Sequence, residues 1–143
     1  MQDLATELTV FMRAYEDANN SHDIDRVTPM VAEHATYWFT DGSYYGLRQV
    51  TAAITRTFSA IRDETYEISE VEWVIISTEH AVCRYRFSWT GVVGGEPRSG
   101  HGRGTNVLVK QDGLWKIQHE HLSTRRVVSF VSGDRECAWG SVR

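Results

Sequence analysis

Apolar residues along this chain repeat first at helical spacing and later at every second position. Leu4, Leu8, Phe11, Tyr15 and Ala18 fall on one helical stripe, and Asp3 stands where an N-cap belongs, so residues 4–19 are expected to form an amphipathic helix. Asn19-Asn20-Ser21-His22 reads as a turn, and a short helix is expected from Asp23 to about Val31, with Pro29 near its end. Residues 35–40, Ala-Thr-Tyr-Trp-Phe-Thr, are strand formers. Asp41-Gly42 and Ser43-Tyr44-Tyr45 complete a small hairpin. Leu47, Val50, Ile54, Phe58 and Ile61 then mark a third helix.

From Thr65 the period is two. Strands are expected over residues 66–77, 81–93, 103–111 and 114–123, with the glycine-rich stretch 91–104 as a loop and Asp112-Gly113 as a second hairpin turn. Helices first and antiparallel strands afterwards make a segregated α+β domain over residues 1–123. The tail, 124–143, is expected to pack on the same domain or on a partner. Val71-Glu72-Trp73-Val74-Ile75-Ile76 is apolar on both faces of its strand, which calls for a second cover, and another copy of the sheet supplies it. The expected assembly is a homodimer.

Composition narrows the function without naming it. At 143 residues, with 41% hydrophobic and 24% charged, the chain is of ordinary globular make-up. A net charge of −4 with scattered basic residues argues against nucleic acid as a partner. No run approaches the roughly 18 apolar residues of a membrane span, and the first residues lack a basic, then apolar, leader. No membrane partner is expected, and the expected location is cytoplasmic. Cys83 and Cys137 make no metal-binding spacing.

The stretch Trp115–Ser123, WKIQHEHLS, carries the sharpest chemistry. If period two holds throughout, Trp115, Ile117, His119 and His121 share the inner face, while Lys116, Gln118 and Glu120 face outward. The same rule, anchored on Val107 and Val109, places His101, Arg103 and Thr105 inward on the preceding strand. Cys83, Tyr85, Phe87 and Trp89 share the aromatic face of the strand before it, and Arg84 and Arg86 face away.

Three segments resemble one family: GRGTNVLVKQDGLWKIQHEHLS (102–123), DGSYYGLRQVTAAI (41–54) and NSHDIDRV (20–27). Together they resemble the NTF2-like superfamily in its SnoaL-like branch. The resemblance implies a cone-shaped α+β barrel, a curved antiparallel sheet wrapped around the N-terminal helices with a pocket between them. It implies a small hydrophobic ligand, no cofactor, and cofactor-independent isomerase, cyclase or lyase chemistry. His119 or His121 would be the acid–base group and Arg103 or Tyr15 the stabiliser of a developing oxyanion. Trp38 (or Tyr37), Tyr85, Phe87, Trp89, His101, Thr105 and Ile117 would line the pocket. Ketosteroid isomerase activity is not expected: Tyr15 matches the tyrosine of those enzymes, but Phe39 and Thr105 stand at the two acidic positions, and Asp41 reads as a turn residue. A metal site is not expected either, because His119 and His121 lack a well-spaced third ligand. The alternative function is a non-catalytic module resembling the association domain of calmodulin-dependent kinase.

Overall fold

The computed structural model describes residues 3–124. Helix α1, Leu4–Asn20, starts at Asp3, whose carboxylate accepts from the Thr6 backbone N–H at 2.7 Å. It buries Leu8, Met12, Tyr15, Ala18 and Asn19. Helix α2, Ile24–Val27, runs into a 3₁₀ turn, Thr28–Met30. The hairpin β1, Val31–Phe39, and β2, Gly42–Tyr45, turns at Thr40-Asp41, leaving Asp41 exposed in the turn. Helix α3, Gly46–Ala60, follows. Then come β3, Arg62–Ile76; β4, His80–Val93; β5, Glu96–Gln111; and β6, Leu114–Thr124. The segregated α+β reading holds.

The six strands form one curved sheet in the order β2-β1-β6-β5-β4-β3. Strands β3 to β6 are antiparallel neighbours, whereas β1 lies parallel to β6. That long-range pairing left no local trace in the sequence. Among the described residues β2 and β3 are the edges, so the sheet they form is a cone open along one side rather than a closed barrel. Strand β1 also begins four residues before the expected Ala35.

The expected loop over 91–104 is instead mostly strand. The turn is confined to Gly94-Gly95, both with positive φ, and β5 starts at Glu96. The glycines have a packing role. Gly100, Gly102 and Gly104 are the register partners of Trp89, Phe87 and Tyr85, and each bare glycine receives the ring opposite it. A Cβ on Gly102 would lie 2.8 Å from Phe87 Cζ and would overlap the Ser123 carbonyl oxygen. Gly102→Ala is therefore expected to cost about 3 kcal/mol in urea unfolding, the upper range for overpacking. Gly94→Ala meets nothing within 4 Å and carries only the penalty of its φ of +59°, about 1 kcal/mol. Equal losses in the two variants would refute the packing account.

Candidate functional site

Cross-strand register assembles the site. Tyr37 of β1 stands beside Glu120 of β6, Glu120 beside Asn106 of β5, and Asn106 beside Cys83 of β4. All four side chains point into the core, and Tyr15 of α1 meets them from the helical side. Glu120 is only 1% exposed. Its Oε1 accepts from the Tyr15 hydroxyl at 2.9 Å, and the Tyr85 hydroxyl lies 3.4 Å away. The Tyr37 hydroxyl is 2.8 Å from that of Tyr15. Because Tyr15 has one hydrogen and gives it to the carboxylate, Tyr37 is the donor in that pair. Tyr85 also reaches Asn106 Oδ1 at 2.9 Å.

Burial, and next the charge of Glu120, push the Tyr15 and Tyr85 hydroxyls well above the ordinary tyrosine range. Both therefore stay neutral donors. Burial pushes the Cys83 thiol up to about 12, so it is an inert core group. A carboxylate taken out of water costs several kcal/mol even after relaxation. Donors aimed at it offset part of that cost, each charge-assisted hydrogen bond contributing roughly 1.5–3 kcal/mol. An apolar residue in place of Glu120 would avoid the cost altogether.

A slot lies between α1 and β3. Strand β3 shifts register between Ser69 and Glu72, and Glu70 takes a φ of +53°. The slot, of about 130 Å³, sits beside this bulge and is lined by Thr9, Met12, Arg13, Glu16 and residues 68–71. Met12 separates the slot from the cluster: its Sδ lies 4.0 Å from Asn106 Nδ2.

The histidines lie on the other side of the sheet. His119 Nδ1 is 2.6 Å from the Thr36 hydroxyl, and both imidazoles meet the ring of Trp38 edge-on, at 5.1 and 5.6 Å. Trp38 is 44% exposed, while its neighbour Tyr37 is buried. Burial, and then the proximity of His121, hold the His119 imidazole below its usual value. The expected inward placement of His119, His121 and Trp38 is thus corrected. The cause is a bulge. Val107 pairs with His119 but Leu108 pairs with Ile117, so Gln118 is an extra residue and the alternation slips by one. Trp115 and Ile117 point inward as expected; after the slip, Glu120 and Leu122 join them.

His101, Arg103 and Thr105 are also exposed on the outer face, contrary to the inward reading. There the inward positions are held by glycines, Asn106 and Leu108, so hydrophobicity did not mark the inner face. Tyr15, Tyr85, Phe87, Trp89 and Ile117 do point into the core. Arg84 and Arg86 lie on the outer face, paired with Glu72 at 3.5 Å and Glu70 at 3.3 Å. Tyr37, offered as the alternative to Trp38, is the one of the two that points inward, whereas Glu120 and Asn106 were not among the expected residues. The sequence carries one partial signal: Trp115 and Ile117 fall on one face and the apolar Leu122 on the other under strict alternation, a mismatch that a bulge between them resolves.

Among the described residues no group of three or more His, Cys, Asp or Glu side chains is placed to hold a metal ion. No helix among them is long and apolar enough to cross a membrane.

Comparison with known proteins supports the same architecture. The family described as SnoaL-like domain matches residues 9–126. No curated protein matches the chain. Similar solved structures include a proposed calcium/calmodulin dependent protein kinase II association domain from Xanthomonas campestris, with TM-score 0.78 and 18% identity, covering 89% of this chain and 91% of that one. An NTF2-like superfamily protein from Salmonella enterica gives TM-score 0.76 and 18% identity, covering 90% and 95%. A proposed scytalone dehydratase from Novosphingobium aromaticivorans gives 0.73 and 16%, covering 83% and 82%. At these identities the likeness establishes the fold alone.

Proposed function

This chain belongs to the SnoaL-like domain family, and on that premise we propose that it binds a small, largely apolar carbonyl compound and moves a proton next to the carbonyl, with Glu120 as the general base. The observation that carries this reading is the buried carboxylate ringed by tyrosine hydroxyls. Glu120 takes a proton from the carbon beside the carbonyl. The enolate oxygen that forms accepts a hydrogen bond from a neutral tyrosine hydroxyl, Tyr85 being the one already shared with Asn106. Return of the proton to another carbon gives isomerisation, and loss of a leaving group gives elimination. The chemistry needs no cofactor. Deuterium exchange into a bicyclic aromatic ketone, 2-tetralone, followed by proton NMR in wild type and Glu120→Gln, tests it.

The second reading is a non-catalytic association module. It is favoured by His119, which is tied to Thr36 in the sheet wall instead of facing the interior. Wild-type exchange no faster than buffer would favour this reading over the first.

The partner that fits the outer face of the sheet is a second copy of the chain. Trp38 stands exposed there, and Val74, Ile75 (57% exposed) and Ile76 are exposed at the end of edge strand β3. Arg103 lies directly opposite Arg86 on the neighbouring strand, a like-charge pair that is unfavourable without an acid nearby. The acids are Glu70 and Glu72 on β3, which line the same open groove of about 460 Å³. A twofold-related copy brings its own acidic column toward Arg103. Sedimentation equilibrium is expected to show a dimer, weakened at least about tenfold by Trp38→Glu or Arg103→Glu. A wild-type monomer at every concentration would refute the assignment.

A further inference from the structure

A second carboxylate is buried at the far end of α1, away from Glu120. Glu64 is the first inward residue of β3, and its side chain is 0% exposed. A bulge aims it. Arg62 pairs with Val92 and Thr65 with Thr90, so Asp63 and Glu64 face the single residue Gly91. Asp63 takes the left-handed conformation, φ +53°. Gly91 is required there, because a Cβ would meet Ile61 Cγ2 and lie 3.3 Å from Glu64 Cα.

His22 faces this carboxylate from the turn after α1. It too is left-handed, φ +56°. Its Nε2 is buried, makes no hydrogen bond among the described residues, and lies 4.0 Å from Glu64 Oε1. The ring rests against Phe58 of α3, with centroids 5.3 Å apart. The His22 side chain is nonetheless 28% exposed, so another edge of the ring meets solvent while Nε2 looks inward. One turn back, the buried Asn19 Oδ1 is also without a hydrogen-bond partner among the described residues. Two non-glycine residues held left-handed, a rare and costly state, thus converge on one buried pair that packing alone does not call for.

We propose that Glu64 and His22 form a proton-relay site, in which His22 carries protons between the buried Glu64 carboxylate and solvent. Glu64 holds the proton as a neutral acid. It passes the proton to the Nε2 lone pair of His22, in the tautomer whose hydrogen sits on Nδ1. The imidazolium then releases its Nδ1 hydrogen to water, leaving the carboxylate and a neutral ring with its hydrogen on Nε2, and tautomer exchange through water resets the ring; delivery runs in reverse. The 4.0 Å gap closes to hydrogen-bond distance by a side-chain adjustment, as catalytic contacts commonly do on ligand binding. Tyr15 and Asn20, the last residue of α1, are five residues apart, about 7.5 Å along the helix axis, and His22 lies beyond that end, so this centre is distinct from Glu120 and stands whether or not Glu120 moves protons.

The test needs no substrate. A pH jump followed by time-resolved infrared spectroscopy reads protonation of the buried carboxyl, whose band is assigned by its loss in Glu64→Gln. His22→Asn and His22→Gly both tolerate the left-handed turn, and circular dichroism checks that each is folded. Either variant is expected to slow protonation of Glu64 by about tenfold or more, and free imidazole added to the buffer should restore the rate in proportion to its concentration. A merely structural histidine would give no such rescue. Wild-type rates in both variants, or a slowing that imidazole leaves unchanged, would overturn the relay.

Discussion

Glu120→Gln is expected to lower deuterium exchange into 2-tetralone by about 100-fold or more, the usual scale of a general base. Glutamine preserves shape, and its carbonyl oxygen can still accept from Tyr15, which now bonds Glu120 Oε1 at 2.9 Å. What it removes is the basicity of the carboxylate that takes the proton. Its amide hydrogens need acceptors in a site built from donors, so a stability loss of about 1–2 kcal/mol accompanies the change. That loss is too small to unfold a typical domain, and thermal melting separates it from the kinetic effect. Tyr15→Phe deletes one donor without deleting the base. It is expected to lower the rate by about tenfold, less than loss of the base, since a hydrogen bond to a charged group contributes about 1.5 kcal/mol at the lower end of its range. Equal exchange by wild type and Glu120→Gln would remove Glu120 from the mechanism.

The second large effect is alkaline lability. Tyr15, Tyr85 and Cys83 each keep a proton in the folded chain at a pH where the unfolded chain has lost it. Their contribution to stability is therefore complete below the unfolded values, near 9 for the thiol and 10 for the phenols. It falls as pH rises toward the folded values. Each group then costs about 1.4 kcal/mol per pH unit, and the three together come to about 5 kcal/mol between pH 9 and about pH 11. Against a total of about 5–15 kcal/mol this is most of the margin of a typical domain. Urea unfolding across that range should show the decline starting with Cys83 and steepening as the tyrosines join. Cys83→Ala should delay its onset, and Tyr15→Phe should flatten its later part. A stability unchanged to pH 11 would mean that these groups ionise in the folded chain.

Local pattern was enough wherever one element decided its own geometry. Helix α1 was legible to within one residue at its end because its apolar stripe and the Asp3 cap agree. The turn at Asp112-Gly113 was legible because both residues adopt the positive φ that such a pair favours. The aromatic face of β4 was legible because Cys83, Tyr85, Phe87 and Trp89 alternate without interruption. Where a neighbouring strand intervened, the same rule failed. The inner face of β5 presents Gly100, Gly102 and Gly104, which look like loop until the rings opposite them are in place. In β6 one extra residue at Gln118 exchanged the roles of Glu120 and the two histidines.

The sequence by itself determined the order of elements, the segregated α+β class, the family likeness and the inward placement of Tyr15, since each follows from local periodicity or from motifs read directly along the chain. The tertiary structure alone decided which charged residue is buried, that β1 runs parallel to β6, and that His22 meets Glu64. The physical reason is the same in all three cases. A bulge or a cross-strand register changes facing by a single residue at almost no local cost, and only the packing of distant strands determines on which side of the sheet each side chain ends.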